Sequence, residues 1–426
     1  MRSTGLWRHP DFVRLWAAAS ISTFGSLITR TAVPFTAILV LDANAFDLGL
    51  LRVAELLPGF LLGLVAGAWI DRVRRRPVMI AADLLRAVLL LTIPIAAVVN
   101  LLGLWQLAIV AALTSVLSIL FDVAYQSYLP SLVNRAELVE GNSKLTAANA
   151  VAEVAAFSAG GWLVQLFTAP FAMVIDAVTF LVSALFIRRI EAPEPPPPPV
   201  AAETKIVTEI GEGLRVIWHN RTLRALAGSN AMISAGYGIG GTVFLLYVNQ
   251  EIGFGAGVLG MVFAVGGVSA LAGAVAASRL TRLAIGPLMI ATLVVWAGGQ
   301  VLVPLATTVS LLSIIFLVLQ QLVTDSAATI YDINQVSLRQ AITPDRLLGR
   351  VNASVRVLEV GVTLIATVAA GLLAEVVGLR LMLVVEVVIL VLAAFWLYVS
   401  PVRQLRATPA LPDPTLEGEL IRADLA

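Results

Sequence analysis

The stretch FDVAYQSYLPSLVNRAELVEGNS, Phe121 to Ser143, lies over YDINQVSLRQAITPDRLLGRVNA, Tyr331 to Ala353, when the chain is shifted by 210 residues without a gap. Asp122 then falls on Asp332, Ser127 on Ser337, Leu138 on Leu348 and Asn142 on Asn352. In the same register Gly161 falls on Gly371 and Asp176 on Glu386. One coincidence in an apolar chain carries little weight. Polar and charged matches that hold a single register across half the chain indicate an internal duplication.

Composition says what kind of unit was duplicated. Of 426 residues, 59% are hydrophobic and 13% charged, with a mean hydropathy of +0.93. Soluble domains have roughly 45–50% apolar and about 25% charged residues, so this is a polytopic membrane protein. A span needs about 20 mostly apolar residues. Such runs are predicted at 12–41, 47–70, 77–100, 104–130, 142–166, 170–189, 222–248, 256–280, 284–307, 309–338, 353–377 and 380–401. That makes an all-α protein of twelve transmembrane helices in two pseudo-symmetric bundles of six. Several connections are short enough to force consecutive spans to be antiparallel neighbours. Arg2, Arg8 and Arg14 come before a long first run without a small-residue cleavage site, which is expected to serve as an uncleaved signal.

The arginines orient the bundle. Arg72, Arg74, Arg75, Arg76, Arg135, Arg188, Arg189, Arg279, Arg282, Arg339, Arg346, Arg350, Arg403 and Arg406 fall at one end, whereas Asp42, Asp47, Glu251 and Arg380 fall at the other. By the positive-inside rule both termini are expected in the cytoplasm. Between the bundles lies EAPEPPPPPV, Glu191 to Val200, a semi-rigid polyproline segment. It is followed by EIGEGLRVIWHN, Glu209 to Asn220, with Ile210, Leu214 and Ile217 at helical spacing. This is predicted to be an amphipathic helix along the inner membrane surface. The units are therefore 1–190 and 222–402, joined by a linker at 191–221 and followed by a tail at 403–426.

Several function classes drop out. Net charge is +1, there is no cysteine, and His9 and His219 are the two histidines. Nucleic acid is thus not an expected partner, and thiolate or histidine metal sites are not expected. No nucleophile–base constellation points to an enzyme, no GxxxxGK[ST] points to an ATP-driven pump, and no cofactor is implied.

The loop after the second run reads GAWIDRVRRRP, Gly67 to Pro77. It resembles the signature of the major facilitator superfamily, with Gly67, Asp71, Arg72, Arg75 and Arg76 at the matching positions. PGFLLGLVAGAWIDR, AADLLRA, the Phe121 stretch and VIDAVTFLVSA are similar to the exporter branch that includes macrolide efflux proteins and the enterobactin exporter. The resemblance runs from the first span to the twelfth. It implies two rocking halves around a midplane site, drug:proton antiport, and a gating role for the loop aspartate at the N-terminus of the eleventh helix. A carboxylate is favoured there by unpaired amides and the dipole. Asp71 would meet that helix near Val351 or Asn352, with the arginines pairing to acids such as Glu137 or Glu140. This sequence departs from the family in three places. The equivalent turn from Gly273 has no aspartate, Ala156-Phe157 stands where antiporters carry Gly-Pro in the fifth span, and the fourth span lacks the arginine of many drug exporters.

Charges within the spans are costly and are functional by default. Depth brings Arg30 and Glu55 together in the outer half, as a structural pair or as cavity charges. Asp83 and Arg86, three apart on one helix, form a brace beside Asp122. Arg356 and Glu359 repeat that spacing. Asp176 and Glu386 are expected to be structural, because the resemblance puts the sixth and twelfth spans outside the cavity. Glu153 and Asp325, near the midplane with no cation at their depth, are the proton-coupling candidates. Gln126, Asn230 and Tyr237 are the polar candidates in a cavity of otherwise small and apolar residues. The expected function is proton-driven export of a hydrophobic or amphiphilic small molecule by a monomer in the plasma membrane, whose partners are solute, protons and lipid. The alternatives are a siderophore or secondary-metabolite exporter and, from another class, a non-transporting sensor or scaffold.

Overall fold

A computed structural model describes residues 5–70, 72–134, 137–194 and 206–406. Asp71, Arg135, the proline run after Glu194 and the tail beyond Arg406 lie outside them, as do the surroundings of Gly67 and the side chain of Glu153. The first half consists of α1 (Pro10–Val40), α2 (Ala45–Ile70), α3 (Arg75–Val98), α4 (Leu104–Leu132), α5 (Leu138–Phe167) and α6 (Ala169–Arg188). The linker helix is α7 (Ile206–His219). The second half comprises α8 (Arg221–Leu246, prolonged by a π turn to Ile252), α9 (Ala256–Arg279), α10 (Ile285–Gln300), α11 (Leu302–Leu305), α12 (Leu311–Ala341), α13 (Asp345–Val377) and α14 (Leu379–Val399). Short α11, which contains Pro304, completes the span begun by α10 after a break at Val301.

Among the described residues, ten helices are long and apolar enough to cross a bilayer. α2 and α5, of 26 and 30 residues, pack among them and complete two sets of six. The duplication governs the packing. In the first half α1 packs on α5 and α6, α3 on α4 and α6, and α2 on α4. In the second half α8 packs on α13 and α14, α10 on α12 and α14, and α9 on α12. Each pairing recurs between the repeat-related helices. Even a turn is copied: α5 meets α6 through Thr168 at φ 66°, ψ 156°, and α13 meets α14 through Gly378 at φ 88°, ψ 155°.

Local chemistry starts the helices. His9 Nδ1 accepts the Phe12 amide at 3.2 Å before Pro10 opens α1. Asn220 Oδ1 accepts from Thr222 and Leu223 at 2.9 and 3.0 Å, and Ser310 Oγ accepts from Ser313 at 3.2 Å. α3 is capped from a distance: the Arg75 and Arg76 amides donate to the Glu194 carboxylate beyond α6. Packing buries Phe12, Phe35, Met79, Leu90, Tyr128 and Tyr331. Ile95, Val98, Trp105, Ile365, Val391 and Phe395 remain exposed around the outside. A lipid-facing surface needs that arrangement, and a water-soluble monomer could not carry so much of it.

One predicted element differs, and another gains a partner. α13 begins at Asp345, about two turns before the start read from hydropathy. Its polar first turns lie outside the apolar run that marks a span. The predicted linker helix is present and also packs on the second half. Ile217 is buried with Ala227, Val351 and Val355, and Ser354 Oγ donates to the Ile210 carbonyl at 2.8 Å. Arg350 pairs with Glu212 beside that contact, so α7 is fastened to α13, leaving Leu214 and Trp218 exposed.

Candidate functional site

A cavity of about 810 Å³ lies between the halves, lined from α1, α2, α3, α4 and α6 on one side and α8, α9, α10, α12 and α14 on the other. It is shut at the end away from the arginine-rich turn. There Gly161 of α5 lies against Ala256 and Gly260 of α9, and Gly371 of α13 lies against Ala45 and Phe46 of α2. Glycine is required at Gly161, because a Cβ would sit 2.6 Å from Gly260 Cα. Two side chains complete the closure at repeat-related positions. Glu375 accepts the Ala45 amide at 3.1 Å, and Gln165 lies against Gly257. At the arginine-rich end the polar residues Asp122, Gln126 and Asp332 on α4 and α12 stay exposed.

The two walls differ in charge. From the first half come Arg30, Arg52 and Arg86 with Glu55, Asp122 and Asp176. From the second come Asp325 and Glu386, with no basic side chain among the described lining residues. Arg86 is buried and paired with Asp83, lies 4.1 Å from the Phe180 ring centroid and 4.7 Å from that of Phe121, and donates to Ser118 Oγ at 3.2 Å. A buried cation with a carboxylate on one side and aromatic faces on the others is held firmly.

The structure separates several residues that depth in the sequence had grouped. Glu55 pairs with Arg52 at 2.7 Å, one turn away on α2, and not with Arg30. Spacing of three on one helix overrides a match of depth between two helices. Arg30 lines the cavity without an ion pair among the described residues. Arg356 and Glu359 share a helix face but form no pair among the described residues. Glu359 instead accepts Asn230 Nδ2 at 3.0 Å, which also donates to Gln335 Oε1 at 3.1 Å. The Tyr331 hydroxyl lies 3.0 Å from both Asn230 Oδ1 and Ser229 Oγ. Asn230 is therefore part of a buried polar cluster and not of the cavity lining. Gln126 is exposed but lies beyond the lining, whereas Tyr237 does line the cavity, tilted against Trp296 at 5.6 Å.

Asp325 lines the cavity. Asp176 and Glu386 do too, contrary to the expectation that the sixth and twelfth spans stand clear of it. α1 and α8 carry glycines in front of them: a Cβ at Gly25 would collide with Asp176 and Thr179, and one at Gly240 would sit 2.8 Å from Glu386 Oε1. The helix beyond is seen through the gap. At the loop of the signature, Arg76 donates to the Arg188 carbonyl at 2.6 Å. The acid that meets the Arg75 and Arg76 backbone is Glu194; Glu140 pairs with Lys144 at 3.3 Å, and Glu137 accepts from Asn134. Val351 and Asn352 lie inside α13, so the free amides of that helix are those of its first turn, near Arg346. The sequence reading missed Arg52, Glu375, Gln165 and the Gln300–Gln320 pair. For Arg52 the three-residue spacing to Glu55 was a usable signal.

Two repeated six-helix halves around a cavity closed at one end define a membrane protein of the alternating-access transporter architecture. Residues 15–330 match the Major Facilitator Superfamily, and the chain belongs to that family. It is 29% identical over 232 residues to the multidrug efflux pump Tap of Mycolicibacterium fortuitum, covering 53% of this chain and 56% of the relative. It is 22% identical over 215 residues to macrolide efflux protein A of Streptococcus pyogenes, covering 50% and 53%. The chain thus spans about half the length of the curated relatives it matches. Among solved structures, a bacterial homologue of the iron transporter ferroportin in an inward-facing state superposes with a TM-score of 0.72 at 17% identity, covering 91% of this chain and 98% of that one. The nucleoside transporter NupG gives a TM-score of 0.75 at 13% identity, covering 91% and 98%. At such identities these structures establish the fold alone.

Proposed function

We propose that the chain is a secondary active exporter of a bacterial plasma membrane, moving a hydrophobic or amphiphilic small molecule outward in exchange for protons. One observation carries the reading: a cavity of about 810 Å³, within the roughly 300–1,000 Å³ that hold drug-sized solutes, lies between halves whose close contacts are at one end. The arginine excess puts the open end and both termini in the cytoplasm. The state described here then faces inward, where an exporter loads. The names of the two efflux relatives support the direction of transport.

In this reading the halves rock about the cavity. The Glu375 and Gln165 contacts part while the other end closes. Asp71, with Gly67, Arg72, Arg75 and Arg76, serves that second closure by approaching the first turn of α13. Asp325, which lines the cavity, and Glu153 on α5 are the candidate coupling carboxyls named from the sequence. The monomer is the working unit, in contact with lipid.

The test uses everted membrane vesicles containing the chain, energised by respiration and offered a fluorescent amphiphile. The reading expects uptake that a protonophore abolishes. Uptake equal to that of vesicles lacking the chain, across macrolides, amphiphilic dyes and siderophores, contradicts it.

A further inference from the structure

Among the described residues, Glu386 combines deep burial with access to the cavity and an unpartnered oxygen. It belongs to α14, is 6% exposed, and yet reaches the cavity because Gly236 and Gly240 thin the wall of α8 in front of it. Oε1 accepts Gln300 Nε2 at 2.8 Å; Gln300 Oε1 accepts in turn from Gln320 Nε2 at 3.1 Å. Oε2 is buried with no hydrogen-bond partner. Its repeat counterpart Asp176 also stands behind a glycine, Gly25, but both of its oxygens are bonded, to Thr29 at 2.5 Å and Thr179 at 3.1 Å. Duplication supplied two such carboxyls, and one was left open.

Among the described residues, the surroundings hold no ready counter-ion. α8 presents Tyr237, α10 presents Gln300 and Trp296, and α12, across the cavity wall, presents Asp325. Among the described residues, α11, α13 and the turn Pro401–Gln404 after α14 contribute no bond to the carboxyl, and Arg380 at the start of α14 is spent on the Pro304 carbonyl at 2.9 Å. The cations of the cavity lie on the first half: Arg52 is paired with Glu55, Arg86 with Asp83, and Arg30 stands on α1. A bare carboxylate with one hydrogen bond is poorly tolerated at such a site, so the group must hold a proton or a cation. Beside it, the Tyr237 and Trp296 rings, 5.6 Å apart, offer faces to a cation and to an apolar body.

We propose that Glu386 is the exchange site of the cavity, holding a proton when the cavity is empty and releasing it when the ammonium group of an amphiphilic amine docks against Oε2 beside Tyr237 and Trp296. The O–H bond of the carboxyl breaks, the proton leaves to cavity water, and the substrate cation takes its place. No other charge moves. The inference rests on the exporter reading and deepens it by naming a substrate class and a coupling group.

Dansylcadaverine, a fluorescent primary amine, and its N-acetylated neutral form are the probes, titrated into the purified full chain in weakly buffered detergent solution. For the wild type the amine binds more tightly than the neutral form and releases protons as it binds. Glu386→Gln keeps the size and the Gln300 contact. It is expected to bind the amine about tenfold more weakly, to lose the proton release, and to bind the neutral form as the wild type does, which shows that the cavity is folded. Wild-type affinity and proton release in Glu386→Gln overturn the proposal, as does a wild type that does not prefer the amine. Proton release lost in Asp325→Asn but kept in Glu386→Gln overturns it in favour of Asp325. A wild type that behaves as expected here yet fails the vesicle uptake test leaves the binding site standing and removes the exporter reading.

Discussion

The Glu375 carboxylate of α13 accepts the amide of Ala45, the first residue of α2, at 3.1 Å, across the boundary between the two halves. A helix N-terminus has unpaired amides and a positive dipole end, so one half holds the other by an anion-on-helix contact. Gln165, the repeat-related residue, is uncharged and lies against Gly257 in the first turn of α9. The far end thus closes at two repeat-related positions, and the described hydrogen bond is at the charged one.

Removing the charged contact loosens that end. A charge-assisted hydrogen bond is worth about 1.5–3 kcal/mol, so Glu375→Ala shifts the equilibrium toward the state open at the far end by roughly tenfold or more. The chain has no cysteine, so a single Ser26→Cys in the cavity lining is a clean reporter. Impermeant maleimide added from the far side labels it faster in Glu375→Ala than in the parent. Glu375→Gln, which restores the pattern of Gln165, gives an intermediate rate.

Gly161 admits no side chain in the closed gate, since the Ala256 carbonyl lies 2.5 Å and Gly260 Cα 2.6 Å from its Cβ position. Gly161→Val forces α5 and α9 apart. The expected result is strong far-side labelling of the same reporter and loss of transport with the protein still inserted and monodisperse. Slow labelling at the parent rate would show that the gate closes elsewhere.

The Asp83–Arg86 pair is buried. Asp83→Asn removes the carboxylate bonded to a buried guanidinium, leaving among the described residues only Asp122 and Asp176 near it, and breaking such pairs from one side costs about 3–5 kcal/mol. The thermal midpoint in detergent drops clearly in Asp83→Asn. It recovers much of the loss in the double variant Asp83→Leu with Arg86→Met. A double variant as unstable as the single would mean that the cation on the Phe121 and Phe180 rings, and not the ion pair, is what matters.

Thr168 holds a backbone conformation, φ 66° and ψ 156°, that is almost restricted to glycine. Its repeat counterpart is Gly378. Thr168→Gly relieves strain of about 1–3 kcal/mol, partly offset by about 1 kcal/mol of extra freedom in the unfolded chain. A modest rise in thermal midpoint with unchanged transport is the expected result.

How much of this was readable depended on whether a feature sits on one helix or between two. The spans and the duplication were legible, because hydropathy and the register of Asp122 with Asp332 and Gly161 with Gly371 are properties of the chain itself. The Asp83–Arg86 contact was legible from its spacing. Arg52 and Glu55 carried the same signal, yet depth suggested Arg30. Equal spacing also failed for Arg356 and Glu359, because Asn230 on α8 takes the carboxylate and no periodicity within α13 reveals that. Glu386 was read as scaffold for a similar reason. Its access to the cavity is set by a glycine on another helix, visible when α8 is laid over α14 and not before.

Exchange of solute for protons is tested most directly by one measurement. Everted vesicles containing the chain are given an inside-acid proton gradient reported by a pH-sensitive dye, and amphiphilic amines, macrolides and siderophores are added one at a time. An amphiphilic amine is expected to discharge the gradient in wild-type vesicles and to fail to do so in Glu386→Gln vesicles. A gradient that decays at the rate of empty vesicles whatever is added, in membranes where the chain is inserted and folded, would contradict it.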